Sequence, residues 1–171
     1  MNKRNGRPVD PAEEDLVRRV CRGDLKAFES LCMRLEGPLY GYAYGIVRNS
    51  HEAEDVVQET LLRLYREVRA RRLRPDGQVR SFAFAIAHNL AVDNQRRQLP
   101  VVALDASLPA PERDSSESTI LREQLNFALA ELPANHRSAL MLREFGDLSY
   151  AEVAETLGVS LAEINSALKK P

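Results

Sequence analysis

Three groups of side chains in this sequence could do chemistry, and in each the chemistry is non-covalent recognition. The first is cationic. Between positions 63 and 97, Arg63, Arg66, Arg69, Arg71, Arg72, Arg74, Arg80, Arg96 and Arg97 stand against only Glu67, Asp76 and Asp93. On a chain whose formal net charge is −1, so local an excess points to a phosphate-facing surface, the alternative being a basic face that is simply solvated. Asn89, Asp93 and Arg96 recur at helical spacing opposite an apolar stripe of Phe82, Ile86 and Leu90, which leaves a polar face able to meet bases or phosphates. Tyr65 and Phe82 could stack on unpaired bases, but at helical spacing a core position is expected for each.

The second group is anionic. Glu52, Glu54, Asp55 and Glu59 fall within a stretch, 51–60, that contains no Lys or Arg, and Glu52, Asp55 and Glu59 share one helical face. Asn49 or Ser50 can cap a helix here, and an acid in its first turn suits the helix dipole, which accounts for Glu52. Asp55, Gln58 and Glu59 lie further along. Clustered carboxylates repel one another unless a partner offers cations, so a basic protein surface is the expected partner.

The third group is a pair of S-x-x-E capping boxes, Ser149 with Glu152 and Ser160 with Glu163, which specify two helix starts eleven residues apart. Between them Ala154 allows two helices to cross closely and Gly158 permits a left-handed turn. Val153, Leu157, Val159 and Ile164 supply a shared core. This pattern fits a helix-turn-helix whose second helix enters a DNA groove; an αα-hairpin that binds protein or nothing is the alternative. Catalysis finds no support: His51, His88 and His136 lie on different predicted helices, no residues have metal-ligand spacing, and no phosphate loop or nucleophile elbow occurs. No cofactor and no metal are expected.

The elements that must position these groups are helical. Apolar residues recur at three and four, as in Val56, Val57, Leu61, Leu64 and Val68. Helices are predicted over 13–21, 24–35, 38–47, 51–69 and 78–97, punctuated by Gly23, Gly37 and the turn from Arg74 to Gly77, and again over 120–131, 134–145, 150–157 and 161–169. Between the two sets, 98–119 is rich in Pro, Ala and Ser with a net charge of −3, and is read as a linker. A chain of 171 residues with 44% hydrophobic content fits two small domains with packed cores. No stretch has the length or apolar character of a membrane span or signal peptide, so a cytoplasmic location is expected. Cys21 and Cys32 are expected to be small buried hydrophobes.

In combination these stretches resemble the extracytoplasmic-function (ECF) group of bacterial RNA polymerase sigma factors. The resemblance rests on Asp15-Leu16-Val17, Gly23-Asp24 and Ala27-Phe28, then the run from Ala53 to Thr60, then Ile86 to Asp93 leading into Arg96-Arg97. It continues through Leu132-Pro133, Arg137, Leu140 and the capped stretch from Ser149 to Ser160, and so covers nearly the whole chain. It implies an all-α protein: a region 2 bundle over 10–97, a flexible linker over 98–119 that threads the RNA exit path, and a region 4 helix-turn-helix over 120–171. It also implies that Glu54, Asp55, Gln58, Glu59 and Leu62 dock on the clamp helices of the polymerase β′ subunit, with region 4 at the β flap. The loop 73–78 and Arg74, Arg80, Asn89, Asp93, Arg96 and Arg97 would melt and read the minus-ten promoter element. Ser160, Leu161, Glu163, Asn165, Ser166 and Lys169 would meet the minus-thirty-five element. Sigma factors of this group are usually silenced by an anti-sigma factor, which adds a third partner to core polymerase and promoter DNA.

Two departures from the family pattern bear on these expectations. The chain has no Trp, and Phe82 stands where family members commonly carry one. The recognition helix has Glu163, Asn165 and Ala167 where the family commonly shows Thr, Lys and Arg, and it is expected to stop short of the usual arginine-rich continuation. Region 4 is therefore expected to grip duplex DNA weakly by itself. The alternative function is a sigma-like protein-binding module that occupies polymerase or an anti-sigma factor without initiating transcription.

Overall fold

A computed structural model describes residues 11–72, 79–98 and 131–169. All regular structure among them is α-helical. Helices α1 (Pro11–Cys21), α2 (Leu25–Val47), α3 (Ser50–Arg69) and α4 (Val79–Gln98) form the first bundle. Helices α5 (Ala134–Glu144), α6 (Tyr150–Leu157) and α7 (Leu161–Lys169) form the second unit. The helix expected over 120–131, the linker over 98–119 and the loop 73–78 with Arg74 lie almost wholly outside the described residues.

Local chemistry sets most helix ends. Asp24 caps α2 by accepting from the Ala27 amide at 3.1 Å, while Arg19 donates to its other oxygen at 2.8 Å. The Ala27 amide and then the Arg19 side chain hold the Asp24 carboxyl below its usual pKa. Asn49, rather than Ser50, caps α3 through the Glu52 amide. At α6 the Ser149 hydroxyl accepts from the Glu152 amide, and the Glu152 carboxylate accepts from the Ser149 amide at 2.8 Å. Gly158, with φ +65, then ends α6. Ser149→Ala removes one half of this box and should lower stability by about 1 kcal/mol. Urea denaturation followed by circular dichroism measures it, and an unmoved midpoint would show that the box contributes nothing.

Tertiary packing overrides local signals in α2. The sequence predicts a break at Gly37-Pro38, yet one helix runs through both. Gly37 lacks the Cβ that would clash with the proline ring, and Leu31, Leu35, Leu39, Tyr42, Ala43 and Ile46 form a buried stripe continuous across the junction. The cysteines also differ from expectation: Cys21 and Cys32 form no disulfide and are only half-buried. Desolvation, followed by the charges of Glu36 and Glu29, pushes the Cys32 thiol up to about 11.

The first core centres on Leu31, Leu35, Leu39, Tyr42, Leu64 and Phe84, and the second on Ala139, Leu142, Val153 and Ile164. The two join as one apolar body. Helix α5 packs on α2 and α6 packs on α4. Tyr42 ties the seam: its hydroxyl lies 2.7 Å from His88 Nδ1 on α4, and Ser138 on α5 is close enough to oppose the rise that burial imposes on its pKa. Burial, and then the Arg96 charge, lowers the His88 pKa.

Candidate nucleic-acid and protein interfaces

Burying Ala53, Val56, Val57, Thr60 and Leu64 turns the opposite side of α3 outward. Glu54, Asp55 and Gln58 are exposed, Glu59 is half-buried, and Leu62 is 44% exposed beside them. The structure therefore gathers all five expected core-binding residues on one face. It also neutralises part of the charge: Arg63 Nε donates to Glu59 at 2.7 Å. Arg63 thus belongs to the acidic face and not to the basic cluster in which its position placed it. Leu62, expected there from the family resemblance, is an exposed apolar side chain beside the acids and can fill a pocket on a partner.

On α4 the buried residues are Val79, Ala83, Phe84, Ala87 and Ala91, so the inward face differs from the expected stripe. Phe82, expected in the core, is 37% exposed, because Phe84 takes the inner position. Tyr65 is half-buried, with its ring 5.4 Å from that of Phe28, in keeping with a packing role. The Tyr42–His88 bond fixes the rotation of α4, and with it Asn89, Asp93, Arg96 and Arg97 share an exposed surface. There an amide and two guanidiniums can donate to base edges and phosphates, and a carboxylate can accept from a base amino group.

Arg80 is placed elsewhere. Its side chain is only 18% exposed; it donates to the carbonyls of Gly146 at 2.7 Å and Phe145 at 3.2 Å, and to Glu13 at 3.2 Å. The guanidinium also lies over the Phe84 ring. In this conformation Arg80 is unavailable to a phosphate, because the turn between α5 and α6 already satisfies it.

In the second unit, Ile164 anchors α7 while Ser160, Leu161, Ala162, Glu163 and Ser166 are exposed. Glu163 points back along its own helix: it accepts from the Ser160 amide and hydroxyl, each at 2.7 Å. The Ser160 hydroxyl, then its amide, holds the Glu163 carboxyl below the ordinary glutamate pKa. Asn165 Nδ2 donates to the Leu161 carbonyl at 2.9 Å. Two expected DNA-facing side chains are thus engaged within the helix, and no positive side chain lies on the described surface of α7. The Lys169 side chain lies outside the described residues. Among the described residues no group of His, Cys, Asp or Glu is arranged to hold a metal ion, and no helix is long and apolar enough to cross a membrane.

Known proteins share this arrangement. The family profile of Sigma-70 region 2 matches residues 31–99, and that of Sigma-70, region 4 matches residues 122–170. The chain is 31% identical to the ECF RNA polymerase sigma factor SigE of Mycolicibacterium smegmatis, over 95% of this chain and 67% of the relative. It is 29% identical to the RNA polymerase sigma-H factor of Pseudomonas aeruginosa, over 91% and 88% of the two chains. It is 24% identical to the ECF RNA polymerase sigma factor SigW of Bacillus subtilis, over 90% and 89%. Among solved structures, CnrH in complex with the cytosolic domain of CnrY superposes with a TM-score of 0.68 at 21% identity, over 92% of this chain and 90% of that one. At that identity the likeness speaks for the fold.

Proposed function

This chain belongs to the ECF RNA polymerase sigma factors, and from that premise we infer that it binds core RNA polymerase and directs it to specific promoters. The observation that carries the reading is the succession of both sigma regions along one chain, 31–99 and 122–170. Sigma factors are in general non-catalytic initiation factors, and we read this chain as having no active site of its own and as working in the cytoplasm. We assign region 2 to 10–97, a linker to 98–119 and region 4 to 120–171. In this assignment the Glu54, Asp55, Gln58, Glu59 and Leu62 face of α3 docks on polymerase. Asn89, Asp93, Arg96 and Arg97 read the minus-ten element, with Arg74 and Arg80 contributing, and the residues from Ser160 to Lys169 meet the minus-thirty-five element. An anti-sigma factor is the proposed regulator, since CnrH, of like fold, forms a complex with the cytosolic domain of CnrY.

In vitro transcription with core polymerase and a genomic promoter library tests the reading. Specific transcripts support it. Polymerase binding without transcripts would favour a sigma-like module that only occupies its partner, a reading suggested by Glu163 and Asn165 being engaged within α7. Within region 2 the two ends of the α4 surface should behave differently. Asn89→Ala should shift base preference, because an amide makes paired hydrogen bonds to a base edge, at about 1–3 kcal/mol of discrimination. Arg97→Ala should weaken binding evenly across sequences and reduce the salt-dependence slope by about one unit. Anisotropy titrations of the holoenzyme against a panel of minus-ten variants at several salt concentrations separate the two. If both substitutions acted only on sequence-independent affinity, the base-reading role of α4 would be wrong.

A further inference from the structure

Where the end of α2 meets the first turn of α5, the fold brings two arginines together. Arg137 of α5 is half-buried, and its Nε is wholly shielded from water with no hydrogen-bond partner. Among the described residues no carboxylate, carbonyl or hydroxyl accepts from that guanidinium. A guanidinium carries five donors and a full positive charge, so shielding one without a partner is unfavourable. Buried polar groups are almost always satisfied, by protein, by water or by a bound ion.

Its neighbour is a second cation. Arg48 ends α2 with φ 58, in the left-handed region that favours glycine. Residues other than glycine held there cluster at functional sites. Arg48 Nε donates to the Gly45 carbonyl at 3.1 Å, which keeps the side chain half-buried against its own helix. Burial, and then the Arg137 charge, lowers the Arg48 pKa, as like charges do when they are brought close in a shielded place. Two independent features, an unpartnered guanidinium and a second arginine opposed to it, therefore call for the same thing. An anion between them would remove the repulsion and supply the missing acceptors.

The donor forks of arginine match the oxygens of a phosphate group. Charge then selects among phosphates. Two guanidiniums balance a dianion, and a phosphate monoester carries about −1.5 to −2 at neutral pH, whereas each diester of a nucleic-acid backbone carries a single charge. We propose that Arg48 and Arg137 form a binding site for the terminal phosphate of a small soluble molecule, of the class of phosphate monoesters and nucleotides. The site uses none of the residues assigned above to polymerase or promoter, and its existence does not depend on the sigma-factor reading.

Thermal denaturation of the full chain, followed by circular dichroism at constant ionic strength, tests the site. Inorganic phosphate is the probe, and dimethyl phosphate, a diester with one charge, is the control. Replacing chloride by inorganic phosphate should raise the wild-type midpoint saturably, by about 3–5 °C once phosphate is about tenfold above its dissociation constant. Dimethyl phosphate should leave the midpoint unmoved. Arg137→Gln and Arg48→Gln should each abolish the saturable rise and leave only the gradual salting effect that phosphate has on any fold. In chloride, each variant should melt no lower than the wild type, because each removes one of two opposed charges. No saturable rise in the wild type, or an equal rise in the variants, would overturn the site. A variant that melts several degrees lower in chloride would show that the fold already satisfies its guanidinium, and would overturn it too. An equal response to dimethyl phosphate would overturn the monoester assignment in favour of a nucleic-acid backbone.

Discussion

Replacing Asp55 and Glu59 together by arginine should reduce affinity for core RNA polymerase at least about 100-fold, with the helical fold retained. Like charges set against a cationic partner cost several kcal/mol, and each 1.4 kcal/mol is tenfold. The structure shows why the fold should survive. Asp55 is exposed, the α3 cap is made by Asn49, and the buried stripe from Ala53 to Leu64 is untouched. Among the described residues only the Arg63–Glu59 pair is lost, with side chains 48% and 37% exposed, and such pairs contribute about 0–1 kcal/mol. Surface plasmon resonance against immobilised core enzyme measures the effect, with thermal denaturation as the control for folding. Unaltered affinity at physiological salt would remove α3 from the polymerase interface.

Phe84→Ala should be the most damaging single truncation, at about 3–5 kcal/mol, out of a total stability that for a domain of this kind is about 5–15 kcal/mol. Phe84 is fully buried and meets Tyr42 edge to face at a centroid distance of 5.7 Å. It also underlies the Arg80 guanidinium and lies against Gly146 in the α5–α6 turn. Truncation leaves a cavity where α2, α4 and the second unit converge. Urea denaturation with tryptophan-free optical probes, such as far-ultraviolet circular dichroism, reads the loss. A midpoint shift no larger than that of Ser149→Ala would show that the cavity refills, and that packing at this junction is loose. By contrast Phe82→Ala, at a 37% exposed position, should cost much less.

The contrast between these two phenylalanines shows where sequence reasoning reaches its limit. Apolar residues crowd α4 from Phe82 through Ile86, so helical periodicity alone offers two competing inner faces. The small Ala83, Ala87 and Ala91 win because they let α4 approach its neighbours closely, a property of packing that a hydrophobicity pattern ranks low. In the second unit the opposite holds. The bounds of α6 and α7 match the sequence-based expectation because Ser149-Glu152, Gly158 and Ser160-Glu163 fix them through backbone chemistry within a few residues. The continuous α2 and the removal of Arg80 to the seam were not legible, since both depend on contacts between residues far apart in the chain. One signal did exist in the spacing of Gly37, Gly41 and Gly45 at intervals of four, which marks a strip of backbone that another element can approach.

Helix α7 divides its labour in a way that bears on how such a protein can change. Ser160 and Glu163 are occupied by the cap, and Ile164 is occupied by the core. Ala162 and Ser166 are exposed and carry neither duty. Substitutions at exposed positions of this kind alter stability by no more than about 0.5 kcal/mol in either direction. Sequence drift at these sites is therefore nearly free of folding constraint, and under the minus-thirty-five role proposed for α7 a lineage can explore new promoter preferences there one residue at a time. The same separation makes positions 162 and 166 the natural place to install basic residues when building orthogonal regulators from this scaffold.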